Sequence, residues 1–479
     1  MVDKEVTRST RTLAEFVSKT TFEALPAEVI HEAKRLLLDS IGVTLAGART
    51  EIGDITFKML KYIGAGSGKG TVIGSKEKTS YLDAANANHR NGNALDADDA
   101  FNGPHFGCPT SMAALAACEM AQASGKDLLT SIALGFDVGA RVILALGPPS
   151  FNPETRSYGD AAKLRAPSPV MALACTAAAA KAMKLSAEQT FHAIGMGAYS
   201  GAQWPWAKWT AAKVAPLLKQ SDYGTPTASG VRAALLAKLG TTAFEDVLDG
   251  ESGLLLQMTP DANFELLLRD IGKRWLLVET SYKPWPSCRW THSPATAFYK
   301  ILKENDLKVE EIEHVLLLGH AVATDHRFRN KEPKGWVTCQ FNNPHVIAML
   351  AYGVKRGIEW YCKETLNDPR IQAFRKKVDV ELEPESLKIP EWVKDGVLTK
   401  VPATAEVKAR GKTYRQLVYN AWGDPYSHES FFTDDDLRAK FTDFTSSAGV
   451  GLHQIEKIIE VVSKLEQLDD LGQLTGLLT

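Results

Sequence analysis

AEVIHEAKRLLLDSIGVTLAG, Ala27–Gly47, is the stretch whose reading decides the fold. Val29, Ile30, Ala33, Leu37, Ile41 and Thr44 fall near one stripe of a 3.6-residue period, with Pro26 at the start and Gly47 near the end. That spacing predicts a long, buried helix. Outward from it, alanine-rich runs predict further helices at about 109–123, 127–146 and 169–183, and GVRAALLAKLG at 230–240 adds another. Their small side chains permit close helix packing. TVIGS at 71–75 is the main strand signal in this half. After about Val278 the composition changes. HVLLLGHAVA (314–323) and VPATAEVKARGKTYRQLVYNAW (401–422) have β-branched or alternating character, and VIAMLAYGVKRG (346–357) reads as a helix between them. The expected fold is mostly α with an α+β second domain. A large all-α helical domain takes 1–278, a smaller α+β lid domain 279–428, and C-terminal helices in 429–479 return to the helical domain. The return is expected because the apolar stripe of IEKIIEVVSKLEQL (455–468) needs another surface.

The totals bound the function. A chain of 479 residues exceeds one ordinary domain, and 44% hydrophobic with 23% charged residues is a globular composition. Lys plus Arg number 55 against 57 for Asp plus Glu, so no global field favours nucleic acid or an anionic membrane. An anionic ligand must be held by a local cluster. Six scattered cysteines without C-x-x-C read as reduced thiols of a cytoplasmic protein. MVDKEVTRSTRTLAEF lacks an apolar signal core, Asp3 and Glu5 argue against a transit peptide, and no run approaches ~18 uninterrupted apolar residues. No spanning segment is expected.

Three stretches draw chemical attention. GAGSGKG (64–70) lacks phosphate-loop spacing and follows a helix-like segment, so it reads as a helix-to-strand loop. LDADDAFNGPHFGCPTS places Asp96, Asp98 and Asp99 within a turn of each other, with His105 close behind. Carboxylates this close repel, so at least one is expected to have a raised pKa usable for acid–base work. A solvated loop or a hard-metal site of oxygen ligands and one imidazole are the other readings of this knot. TSYKPWPSCRWTHSPATAF gathers Lys283, Cys288, Arg289 and His292 among prolines and tryptophans, a setting that can hold an anion out of water. An ordinary proline-bounded loop is its plainer reading, and Lys219 alone reads as a solvated lysine.

Taken in order, LAEFVSKTTFEALPAEVIHEAKRLLLDSIGVTLAGA, AANANHRNGNALDADD, SGVRAALLAKLGTTAFEDVLDGESG, SYKPWPSCRWTH, CQFNNPHVIAMLAYG and DLRAKF resemble the MmgE/PrpD family over nearly the whole chain. That family includes 2-methylcitrate dehydratase, cis-aconitate decarboxylase and an iminodisuccinate epimerase. The resemblance implies a helical domain built from both chain ends, a smaller lid, a homodimer, and an active site between the domains without metal or organic cofactor. It places Asp96 on the first aspartate of the family's D-x-D-D motif, Lys219 on the lysine five residues before a glycine, and Lys283 on the lysine of the K-P-Y-P-like turn. Several expected partners are changed. Cys108 stands at the histidine of H-P-[ST], Arg165 at the histidine before the helix near 169–183, Cys288 at a decarboxylase histidine, and His345 at a tyrosine.

The resulting expectation is a cofactor-independent lyase, a dehydratase or decarboxylase, acting on a small di- or tricarboxylic acid by proton transfer next to a carboxylate. An isomerase or epimerase, or a non-catalytic metabolite-binding member, is the alternative. Asp96, Cys108, Lys219, Lys283 and His345 are the expected catalytic residues, and Arg165, His105, Cys288, Arg289 and His292 the substrate-binding ones. Cys108 is expected to favour thiolate at a helix start. The lysines stabilise enolate-like charge, and Asp96 with His345, His105 or Cys108 moves the proton.

Overall fold

The computed structural model describes residues 9–147, 151–152, 157–158, 167–201, 212–221, 223–249 and 252–479. The longer helices of the first half are α1 (Ser9–Lys19), α2 (Ala27–Gly47), α3 (Glu51–Tyr62), α4 (Tyr81–Asn93), α5 (Gly107–Ala121), α6 (Gly125–Leu146), α7 (Pro167–Ala182), α8 (Ala187–Tyr199) and α9 (Gly224–Lys238). Each helix expected in this half is present; α9 begins six residues before the run read at 230–240, and the other ends agree within a few residues. α2 begins after Pro26, where a missing N–H is harmless, and α6 begins with a capping box between Ser124 and Asp127. The glycine run after α3 is a loop that leads into the two-residue strand Gly70–Thr71, paired with Lys78–Thr79.

α6 is long and apolar enough to cross a bilayer by length and composition, yet its apolar stretch is buried inside the protein. Its polar residues show why it belongs there. Arg141 donates to Asp137 at 2.6 Å and to the carbonyls of Arg269 and Arg274, while Asp137 accepts from the Leu276 amide. α6 packs on α7 through small residues, and an added Cβ at Gly135 would stand 2.7 Å from that of Ala178. Leucines at that seam would force the helices apart.

The second half contains α10 (Arg289–Asn305), α11 (Asn343–Ala351) and a four-stranded sheet of β1 (Ile312–Gly319), β2 (Val378–Leu382), β3 (Ala403–Ala409) and β4 (Lys412–Val418). The strand order is β4-β3-β1-β2, antiparallel except for β1 with β2. The alternating run at 401–422 divides into β3 and β4 at Arg410-Gly411, both with positive φ, the backbone of a tight hairpin turn. Val315 opposite Val407 and Leu317 opposite Ala405 are buried, and α10 packs on the sheet. The last long helices, α12 (Asp434–Ser447) and α13 (Leu452–Ser463), pack on α2. Lys440 of α12 meets Asp39 of α2 at 2.6 Å, with both side chains buried. One continuous hydrophobic cluster runs from Leu13 through Val315 and Val407 to Leu478, so the α+β part shares the core of the helical part.

Candidate active site

Between α4 and α5 the chain makes a buried loop that places three carboxylates against the 281–288 turn. Asp96 takes a left-handed conformation (φ 50°), which a short polar side chain tolerates. An antiparallel bridge between Ala100 and Ser281 delivers the turn, and its lysine follows two residues later. Lys283 is fully buried. Its Nζ donates to the Asp96 carboxylate at 2.5 Å, the Asp96 carbonyl at 3.0 Å and the Asp98 carboxylate at 3.3 Å. Asn93 also donates to Asp98, and Lys440 donates to the Ala97 carbonyl at 2.7 Å. The loop is therefore pinned by cations from two distant parts of the chain.

The three carboxylates have separate tasks. Burial works against the ionised form of Asp96, but the ammonium of Lys283, with help from His105 and Lys219, more than offsets it and holds the carboxyl well below the usual range. Asp99 accepts from the Gly107 and Cys108 amides at 3.0 and 2.9 Å, capping α5. Burial, reinforced by neighbouring Asp98, pushes the Asp99 carboxyl up to about 7. The raised pKa expected of this knot thus falls on a helix cap instead of on Asp96. Only glycine fits at 107, since a Cβ there would lie 2.6 Å from the Asp99 carboxylate.

Lys219 comes from the short helix Leu218–Ser221. Its Nζ donates to the Tyr223 hydroxyl and to the side-chain oxygen of Gln220, each at 3.1 Å, and lies 5.0 Å from the centroids of the Tyr223 and Phe341 rings. Burial lowers its pKa, while the charge of Asp96 supports the ammonium. Gln340 ties this arm to the rest. Gln220 donates to its side chain at 2.5 Å, it donates to the Ala94 carbonyl at 2.8 Å, and its own carbonyl accepts from the Cys288 amide at 2.8 Å. The Cys288 thiol is buried and pushed up to about 12 by burial and by Asp96, so it is present as a neutral thiol.

His105 Nδ1 lies 2.7 Å from the Asp99 carbonyl, which can only accept, so Nδ1 carries the proton and Nε2 holds the lone pair. That Nε2 stands 3.8 Å from Asp96, and burial followed by the charge of Lys283 favours the neutral ring.

Other expectations require correction. Cys108 does begin a helix, but burial and the charges of Asp98, Asp99 and Asp39 push its thiol well above its ordinary value and outweigh the helix dipole. It packs against Gly92 and Thr44 as a neutral thiol. His345 has no ring nitrogen left for a relay, because Nε2 meets the Trp360 carbonyl at 2.9 Å and Nδ1 meets Arg375 at 2.7 Å. Burial and the Arg375 guanidinium hold it near 3. Arg289 is engaged with Asp424, 2.6 Å from both carboxylate oxygens. His292 rests on Trp285 with Nε2 near Ser287, and its Nδ1 has no hydrogen-bond partner among the described residues. Arg165 lies outside the described residues.

Sequence reasoning missed Tyr223, Gln340, the Asp39–Lys440 pair and His89. The Gln220–Gln340 and Asp39–Lys440 pairings join residues about 120 to 400 positions apart, and no local spacing signals them, whereas Tyr223 stands only four positions after Lys219. His89 was visible only as a histidine one helical turn before Asn93, on the same face of α4.

Comparisons with known proteins agree with this architecture. The chain is 26% identical over 470 residues to cis-aconitate decarboxylase of Homo sapiens, covering 95% of this chain and 91% of that protein. It is 25% identical to the Mus musculus cis-aconitate decarboxylase, covering 94% and 89%. It is 23% identical to the cis-aconitate decarboxylase-like protein oryM of Aspergillus oryzae, covering 98% and 97%. The MmgE/PrpD N-terminal domain matches residues 11–267 and the MmgE/PrpD C-terminal domain residues 285–467, so the chain belongs to the MmgE/PrpD family.

Proposed function

We propose that this chain is a lyase of the dehydratase or decarboxylase type that acts on a small di- or tricarboxylic acid by proton transfer next to a carboxylate, without metal or organic cofactor. The observation that carries the reading is the buried contact of Asp96 with Lys283, with Lys219 close enough to feel the charge of both. The relatives named cis-aconitate decarboxylase support the substrate class.

An acid entering this site brings a second carboxylate to lysines that now face Asp96, Tyr223 and Gln220. When Lys283 shares its charge with that carboxylate, the hold on Asp96 weakens and its pKa moves back toward the ordinary value. Asp96 then becomes a competent proton acceptor at neutral pH. Removing a proton, or a carboxyl group, next to a carboxylate adds negative charge to it, and the two ammoniums gain strength as that charge develops. The lone pair of His105 provides a route for the proton away from Asp96. The reading includes a cytoplasmic homodimer that binds neither nucleic acid nor membrane.

The test is an NMR panel of di- and tricarboxylic acids, cis-aconitate among them, incubated with the protein in D₂O. Loss of CO₂ or water, or entry of deuterium next to a carboxylate, is expected. Inverted configuration with labelling and no loss would favour an isomerase. Binding by thermal shift with no exchange in any acid would make the chain a metabolite-binding member and overturn the enzymatic reading.

A further inference from the structure

The ring of His89 is buried at 0% exposure, and its Nε2 has no hydrogen-bond partner among the described residues. Its other nitrogen is held. Nδ1 lies 2.7 Å from the Thr227 hydroxyl on α9, and the ring stands edge-on to Tyr223 with centroids 5.9 Å apart. Tyr223 is the residue whose hydroxyl receives Lys219. One helical turn further along α4, Asn93 donates to Asp98. His89 is thus fixed by the elements that carry Lys219 on one side and the aspartate loop on the other. Burial, reinforced by His105, outweighs the charge of Asp98 and the backbone carbonyl of Tyr223, which favour the protonated ring, and keeps it neutral, at about 4.

A buried polar atom without a partner is disfavoured in a folded protein, and one beside the proposed acid-binding cluster is an open position for a ligand. We propose that His89 is a catalytic residue of this site, with Nε2 as the atom that exchanges a proton with the bound acid through Asp96 while Thr227 holds the ring. The inference rests on the acid–base reading of the site. In the exchange step the C–H bond next to the carboxylate breaks, its proton passes to Asp96, and Nε2 takes that proton on from the aspartic acid. The electron pair stays on the acid as an enolate beside the lysines. Nε2 trades its proton for a solvent deuteron and returns it to the carbon through Asp96.

Among the other histidines near the site, His345 has both nitrogens engaged and His105 is anchored to a backbone carbonyl. His292 has an open Nδ1, but it is held within the packing of its own turn by Ser287 and Trp285. His89 alone combines an open nitrogen with anchorage on the Lys219 arm.

The test compares wild type, His89→Gln, His89→Ala and His292→Gln in the D₂O exchange assay, with thermal unfolding and KM alongside. Glutamine can keep hydrogen bonds but cannot carry a proton. His89→Gln should therefore lose about 10²–10⁴-fold in kcat with KM within a few-fold and unfolding little changed, and His89→Ala should lose no less. Near wild-type kcat in His89→Gln, or a loss confined to His292→Gln, overturns the role of His89 while leaving the site intact. A loss in His89→Ala that His89→Gln restores reduces His89 to a structural support and overturns the proposal. No exchange by wild type with any acid overturns the acid–base reading itself, and the role of His89 with it.

Discussion

The two lysines look alike in sequence but occupy different electrostatic positions. Lys283 is fully buried and neutralises Asp96 and Asp98 together, whereas Lys219 is partly buried and held by a phenol, an amide and two ring faces. Removing the charge of Lys283 leaves two buried carboxylates short of their cation, a loss that typically costs about 3–5 kcal/mol. Lys219→Met leaves Lys283 in contact with both carboxylates. Both variants should lose roughly two to three decades of kcat/KM on the acid that the panel identifies. Only Lys283→Met should also unfold at markedly lower urea concentration. Equal stability losses would place Lys219 in the structural network, and unchanged kcat/KM in both would mean that neither faces the substrate. The resemblance made these lysines and Asp96 legible. The state of Asp96 was not legible, because its pKa depends on a contact 187 positions away.

At the scale of the element, α5 is the part whose start couples to pH. Asp99 caps it, and its folded-state pKa of about 7 lies above the ordinary carboxylate value of about 4. A carboxyl raised in the folded state contributes stability that is full below about pH 4 and is lost as the pH rises through about 7. Asp99→Asn keeps a cap and removes the titration. The melting temperature of Asp99→Asn relative to wild type should therefore climb between pH 5 and pH 8. A constant difference across that range would show that Asp99 stays ionised throughout. The helices themselves were readable because their apolar periods and their proline and capping signals are local, as with Pro26 before α2. The division of 401–422 into two strands was not read, although Arg410-Gly411 is where a two-residue turn fits. The thiolate expected at Cys108 failed for a related reason. A helix start can be read from sequence, but the three carboxylates around the thiol are brought there by the fold.

At the scale of the molecule, the first and last parts of the chain meet behind the site. α2 and α12 supply Asp39 and Lys440, and Lys440 reaches the carbonyl of Ala97 between Asp96 and Asp98. Segments around 93–99, 219–223, 281–288 and 340 then converge through side-chain hydrogen bonds on one cluster of charges. The central claim is that this cluster moves a proton on a carboxylic acid and that Asp96 is the group that moves it. The most direct measurement is the turnover of the identified acid by Asp96→Asn, followed by NMR beside thermal unfolding and ligand binding of the same preparation. An amide keeps the shape and can still accept from Lys283, but it cannot take up a proton. Turnover should fall at least about a thousandfold while unfolding and binding stay close to wild type. Turnover by Asp96→Asn within a few-fold of wild type would contradict the account.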